Sequence, residues 1–155
     1  MSVDPERSDD CVADEVFVAN ELIYRRFSPN DIDENGLRPQ RFGSLPGASG
    51  NRSKYSEPQH ALHPCCAEGK NVTGWGVYSL SVSAINSDSF DVENEGRQFQ
   101  YYMKHVPLPQ CKAHSEIHCR DLKLDKDVEK VPQSIRARFR ILMSQRYSVV
   151  ITPAS

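Results

Sequence analysis

Gly74-Trp75-Gly76-Val77-Tyr78-Ser79-Leu80-Ser81-Val82-Ser83-Ala84-Ile85 decides the fold class. From Val77 to Ile85 apolar and polar residues alternate, with one slip of phase. Alternation with period two is the mark of a strand with one buried face, here entered through a glycine turn. The spacing predicts a central strand over Val77 to Ile85. Upstream, Leu22 to Phe27 carries β-branched and aromatic residues and reads as a second strand, stopped by Ser28-Pro29-Asn30-Asp31. Downstream, Ala113-His114-Ser115-Glu116-Ile117-His118-Cys119 alternates strictly. As a strand it turns Ala113, Ser115, Ile117 and Cys119 to one side and His114, Glu116, His118 and Arg120 to the other.

The remaining segments follow from their punctuation. Ile32 to Asn35 forms one short turn closed by Gly36, and Leu37-Arg38-Pro39 resumes in extended form. Gly43 to Lys54 holds four glycines and prolines among Ser and Asn, and is expected to be a loop. Tyr55 to Ala67 is expected to contain a short helix starting near Glu57-Pro58, with proline at its first position. Asn86 to Gly96 is polar and acidic. Gln98 to Val106 is aromatic-rich and fits either a strand or a helix. A helix begins at Pro132, with Ile135, Phe139, Leu142 and Met143 at i, i+4, i+7 and i+8. Tyr147 to Thr152 reads as a last strand. Strands cluster without regular helical crossovers, so the expected class is α+β. The sheet is mostly antiparallel or mixed, with a few helices, long loops and a C-terminal helix-strand unit.

The 155 residues suit one domain with a real core. Residues 15–155 are expected to form it, after an acidic flexible leader over residues 1–14. Apolar residues are 38% and charged residues 26%, not the profile of a disordered chain. The net charge of −2 gives no global field toward nucleic acid or an anionic membrane. No stretch approaches the ~18 apolar residues of a membrane helix. The leader lacks the basic start and apolar run of a secretory signal. A cytoplasmic location is therefore expected, with Cys11, Cys65, Cys66, Cys111 and Cys119 as thiols and the sequons at Asn51 and Asn71 unused.

Three short segments carry chemistry when taken in order: Tyr24-Arg25-Arg26-Phe27 followed by Asn35-Gly36-Leu37-Arg38-Pro39, then Gly74-Trp75-Gly76-Val77-Tyr78-Ser79-Leu80, then His114-Ser115-Glu116-Ile117-His118. Together they resemble the three signature strands of the ADP-ribosyltransferase superfamily, compact toxin or effector members included. The resemblance covers about two-thirds of the chain. It implies NAD as cofactor and a macromolecular target. It implies Arg25 or Arg26 on the dinucleotide phosphates, with Gly76 at the cofactor. Tyr78 would stack on nicotinamide, Glu116 would stabilise the sugar cation left when nicotinamide departs, and His114 or His118 would position. The Gly43–Lys54 loop would be a mobile cover. The chain departs from the pattern in two places. An arginine stands where a histidine accompanies the Gly-Val-Tyr segment, and His114 replaces the first acid of the Glu-x-Glu pair of arginine-modifying members.

Other constellations are weaker. Cys111, His114, His118 and Cys119 have zinc-type side chains, with His60, His63, Cys65 and Cys66 upstream. On a strand, however, His114 and His118 point away from Cys119, so zinc is not expected. His114-Ser115-Glu116 echoes the deaminase His-x-Glu but lacks a following Pro-Cys-x-x-Cys. No Gly-x-Ser-x-Gly surrounds Ser79, Ser81 or Ser83. Cys65 or Cys66 with a histidine partner carries no supporting signature as a nucleophile. Arg136, Arg138 and Arg140 could meet nucleic acid, but no aromatic platform interleaves with them, and a solvated helix face explains them. The alternative to the enzyme is a non-catalytic interaction module with a protein partner, an accessory subunit of a larger bacterial defence-type assembly. Convergence of Arg25 or Arg26, Tyr78 and Glu116 on one cleft would favour the enzyme.

Overall fold

A computed structural model describes residues 15–42, 45, 47–62, 72–86, 89–92, 97–108 and 111–154. The leader, His63, Cys65, Cys66 and part of the Gly43–Lys54 segment lie outside the described residues. The first strand, β1 (Leu22–Phe27), forms where its alternation predicts and buries Ile23 and Phe27. Its stop is chemical. Ser28 Oγ accepts from the Asn30 amide at 3.1 Å, and Asp31 Oδ2 accepts from the Ser28 amide at 2.8 Å. A turn of 3-10 helix over Pro29–Asp31 is thereby capped. A two-residue ladder follows, β2 (Ile32–Asp33) against β3 (Gly36–Leu37), where one turn was expected. Gly36 has φ +101°, the left-handed backbone that glycine adopts without strain.

The expected loop over Gly43 to Lys54 is corrected: it contains β4 (Ala48–Arg52), a strand inside the sheet. Ala-Ser-Gly-Asn-Arg has poor strand propensity, and tertiary packing overrides it. Gly50 is needed because Ile23 Cγ2, Arg25 Cγ and the Tyr24 carbonyl occupy the space a Cβ would take. The expected helix near Glu57-Pro58 is a 3-10 turn, Pro58–Ala61. The strand expected over Val77 to Ile85 is also corrected. It is β5 (Gly76–Ser81) followed by a short helix, α1 (Val82–Asn86). The slip of phase marks that junction, since Val82 and Ile85 are buried at helical spacing.

The segment open between strand and helix is β7 (Arg97–His105), preceded by its partner β6 (Ser89–Val92). Phe99, Tyr101, Met103 and His105 alternate inward along it. The strictly alternating run is β8 (His114–Asp121); Ser115, Ile117 and Cys119 are buried on one side as predicted, Asp121 joins them, and His114 is buried on the other side as well. A hairpin continues it into β9 (Lys126–Asp127), with Asp121 Oδ1 accepting from the Lys123 and Leu124 amides at 3.0 Å. The expected last helix is α2 (Gln133–Ser144), burying Ile135, Phe139 and Met143, and the final strand is β10 (Ser148–Ile151).

The fold is α+β. Among the described residues eight strands form one sheet in the order β10-β5-β1-β4-β8-β7-β6, with β9 on β8, and the pairings are antiparallel. Helix α2 covers one face. There Phe139 meets Tyr101 edge-on at 5.3 Å, and the Tyr101 hydroxyl donates to the Ile135 carbonyl at 2.7 Å. The core between them joins Ile23, Phe27, Phe42, Leu80, Ile117 and Met143. No helix among the described residues is long and apolar enough to cross a membrane.

Candidate functional site: a split in the sheet plugged by Arg25

β1 pairs with β5 over all six of its residues, from Leu22 to Phe27. With β4 it pairs only at Ile23 and Tyr24. Beyond Tyr24 the Arg25 side chain takes the place of the missing ladder. Its Nε donates to the Ser49 carbonyl at 2.7 Å. Its Nη1 donates to the Phe42 carbonyl at 2.5 Å and to the Tyr78 hydroxyl at 2.9 Å. A guanidinium has five N–H donors in a rigid fork, so these contacts fix its plane. Its Nη2 is uncommitted among the described residues.

Tyr78 sits opposite Arg25 in the β1–β5 register, so the resemblance does bring these two residues together. The expected stacking role does not follow from its surroundings. Tyr78 is 1% exposed, packed against Phe27, Phe42 and Tyr147. Burial pushes its phenol above the ordinary range, although Arg25 pulls the other way. It therefore orients Arg25 as a neutral hydroxyl. Gly76 is likewise a packing position, because the Phe27 ring and the Ile151 carbonyl occupy the space a side chain would need.

Glu116 lies on β8, an interior strand, and its Cα partner on β4 is Ser49, whose carbonyl holds Arg25. Strand alternation sends Glu116 to the face opposite Arg25 and Tyr78. On that face Oε1 accepts from His118 Nε2 at 2.9 Å. His114 Nε2 lies 4.0 Å from Oε2, and His114 Nδ1 donates to the Val106 carbonyl at 2.8 Å. Two imidazoles thus flank one carboxylate. Glu116 Oε1 is also 3.8 Å from where a side chain on Gly47 would begin, so the carboxylate borders the start of β4. Arg26 shares this face. Its guanidinium stands 5.7 Å over the Trp75 ring, and its Nη1 is buried without a hydrogen-bond partner. The site residues therefore form two groups on opposite faces of the sheet, Arg25 with Tyr78 and Glu116 with His114 and His118, linked only through the backbone of Ser49, so the expected convergence on one cleft is not met.

Among the described residues, no group of three or more His, Cys, Asp or Glu is arranged to hold a metal ion. Arg136, Arg138 and Arg140 do not form one stripe. Arg136 and Arg140 are half-buried with their Nε atoms unpartnered, whereas Arg138 is exposed.

A buried ionic cluster was not legible from spacing. Arg52 is 0% exposed. Glu21 clamps it through Oε2 at 2.6 Å and Oε1 at 2.8 Å, and Glu15 Oε2 adds a contact at 2.5 Å. Phe17 stacks 4.1 Å from the guanidinium. Burial opposes the charge, but the two carboxylates win and hold Arg52 protonated. Burial also opposes the Glu15 charge. The Tyr55 hydroxyl, Lys54 and Arg52 outweigh it and hold that carboxyl below its ordinary range. The partners stand 31 and 37 residues from Arg52. The one sequence signal was Glu21, a charge set directly against the apolar start of β1. No protein-family model, curated protein or solved structure matches the chain.

Proposed function

We propose that the chain is an ADP-ribosyltransferase-like domain that binds NAD at the split between β1 and β4 and transfers ADP-ribose to a macromolecular target. One observation carries the reading: Ser49 is the common neighbour of a fixed guanidinium and a fixed carboxylate. The pair suits a substrate that is anionic at its phosphates and becomes cationic at its ribose. Arg25 would pair a phosphate through its uncommitted Nη2 edge. Tyr78 would hold the guanidinium plane. Glu116, steadied by His118, would stabilise the positive charge that develops on the ribose as nicotinamide leaves. The substrate would have to pass the start of β4 to touch both groups, beside Gly47, where a side chain would begin 3.8 Å from Glu116 Oε1.

The test is thermal unfolding with saturating NAD, followed by release of nicotinamide. NAD at about ten times its dissociation constant adds ~1.4 kcal/mol to the folded state, a rise of roughly 3–6 °C. Arg25→Ala should remove the rise. Glu116→Gln should keep it and lower nicotinamide release by ~100-fold or more. No shift at millimolar NAD would discard the enzyme.

The interaction module has one observation in its favour. β10 is an edge strand, and it exposes Val149 and Val150. A partner strand could extend the sheet there.

A further inference from the structure

Residues 15–17 lie against the end of β4 and belong to no strand or helix. Val16 is 80% exposed, so the apolar anchorage of the segment rests on Phe17. The main hold on it is Arg52, the last residue of β4. Its Nη1 donates to Glu15 Oε2 at 2.5 Å, its Nη2 donates to the Val16 carbonyl at 3.3 Å, and its guanidinium stands 4.1 Å from the Phe17 ring. Lys54 and the Tyr55 hydroxyl add donors to Glu15. The segment also forms one wall of a cleft of about 410 Å³, facing Asn86 and residues 102–105.

The nitrogen that holds Glu15 has a second partner. Arg52 Nη1 lies 3.1 Å from Nδ1 of the buried His105. Arginine can only donate, so Nδ1 accepts and the imidazole is neutral. Its charged neighbours are Arg52 and Lys54 on one side of the balance, Glu15 and Glu21 on the other. The Tyr55 ring lies 6.2 Å away, with Lys112 Nζ 5.4 Å from that ring. Next to His105 on β7, Lys104 pairs with Asp127 at 3.5 Å, and opposite it on β8 stands the uncharged Ser115. Burial first and Arg52 second hold the imidazole below its ordinary value, against the pull of both carboxylates. A proton on Nδ1 would set N–H against N–H and cation against cation where little water screens them. Glu21 grips the guanidinium by Nε and Nη2, so Nη1 is the end that can swing away. Glu15 hangs on that end.

We propose that residues 15–17 are an acid-released strap: protonation of His105 at Nδ1 turns Arg52 Nη1 away, frees Glu15 with the segment it anchors, and opens the cleft along β7. The neutral imidazole belongs to the closed form. The strap is therefore closed above about pH 6.5 and opens as pH falls through the lower value of the closed state. Glu15, held below its ordinary 4.5, keeps its charge over this range and is not the trigger. The device is separate from the split and from NAD.

The experiment is NMR on the full chain from about pH 8 to about pH 5, following the His105 ring resonances and the backbone order parameters of residues 15–17 and of β7. The strap should pass from about 0.85 to below about 0.6, with a midpoint that coincides with the His105 titration, while β7 stays rigid. His105→Asn sets an amide oxygen near the place of Nδ1 and does not titrate, so its strap should stay rigid throughout. Four results would each overturn the proposal, and the first three need no variant. They are no titration of His105 above about pH 5, a strap still rigid after His105 has taken its proton (as when the imidazolium simply pairs with Glu15), loosening at a different midpoint, or the same loosening in His105→Asn.

Discussion

Arg52 shows how much a single charge can ask of its neighbours. Its guanidinium is out of water and is compensated by Glu21 and Glu15. Removing one partner leaves an uncompensated buried charge, which costs about 3–5 kcal/mol. Glu21→Gln should therefore lower the stability measured in urea by roughly that amount. The double variant Arg52→Met, Glu21→Leu removes both charges and should cost less than the single one. Tyr78→Phe tests a smaller effect. It deletes one acceptor from Arg25 and should cost about 1 kcal/mol. If Arg25 anchors a phosphate, that variant should also weaken NAD binding. At this scale the sequence was half legible. Arg25 and Tyr78 were picked out and do touch, but the role expected for Tyr78 needed an exposed ring, and three aromatic neighbours cover it. Arg52 gave no signal, because its partners come from segments remote in the chain.

Elements with a strong period were legible, and those shaped by their neighbours were not. β1, β8 and α2 declare themselves by alternation or by the spacing of Ile135, Phe139 and Met143. β4 does not, since its residues are typical of a loop and its strand form comes from β1 and β8 on either side. The same crowding makes β4 fragile. Gly50→Ala would drive a methyl into Ile23 Cγ2 and should cost about 1–3 kcal/mol in urea unfolding. It should also disturb the Arg25 plug, whose Cγ lies against the same position. In α2, Phe139→Ala empties a fully buried ring site against Tyr101 and should cost about 3–5 kcal/mol.

For the whole molecule the buried cluster sets a pH dependence. Burial, then the Arg52 charge, pushes the His105 imidazole below its ordinary value of 6.5. The unfolded chain therefore takes up this proton first as pH falls. The stability it contributes is complete above about pH 6.5 and is lost progressively as pH falls from there through the lower folded value. Glu15, also held below its ordinary 4.5, adds a second loss in the same direction at more acid pH. Thermal midpoints should decline on acidification below about pH 6.5, and His105→Phe should flatten the first part of that decline. The α+β class was legible because strands gather without alternating helices. The strand order was not, since β1 lies between β4 and β5, while β4 lies between β1 and β8.

That order bears on how the chain is made. The Leu37 amide donates to the Tyr147 hydroxyl, 110 residues away, at 2.8 Å. Gly36 has no side chain where that hydroxyl rests. β5 likewise waits for β10 to cover its outer edge. A ribosome delivers Gly36 and Leu37 more than a hundred residues before Tyr147. The nascent chain therefore emerges with the β2–β3 hairpin undocked and its central strands half-paired, and it can close only once Tyr147 and β10 are free. Slow closure of distant contacts exposes strand edges to other chains. Removal of Tyr147 and β10 would leave this protein permanently at that stage, a client for chaperones rather than a smaller version of itself.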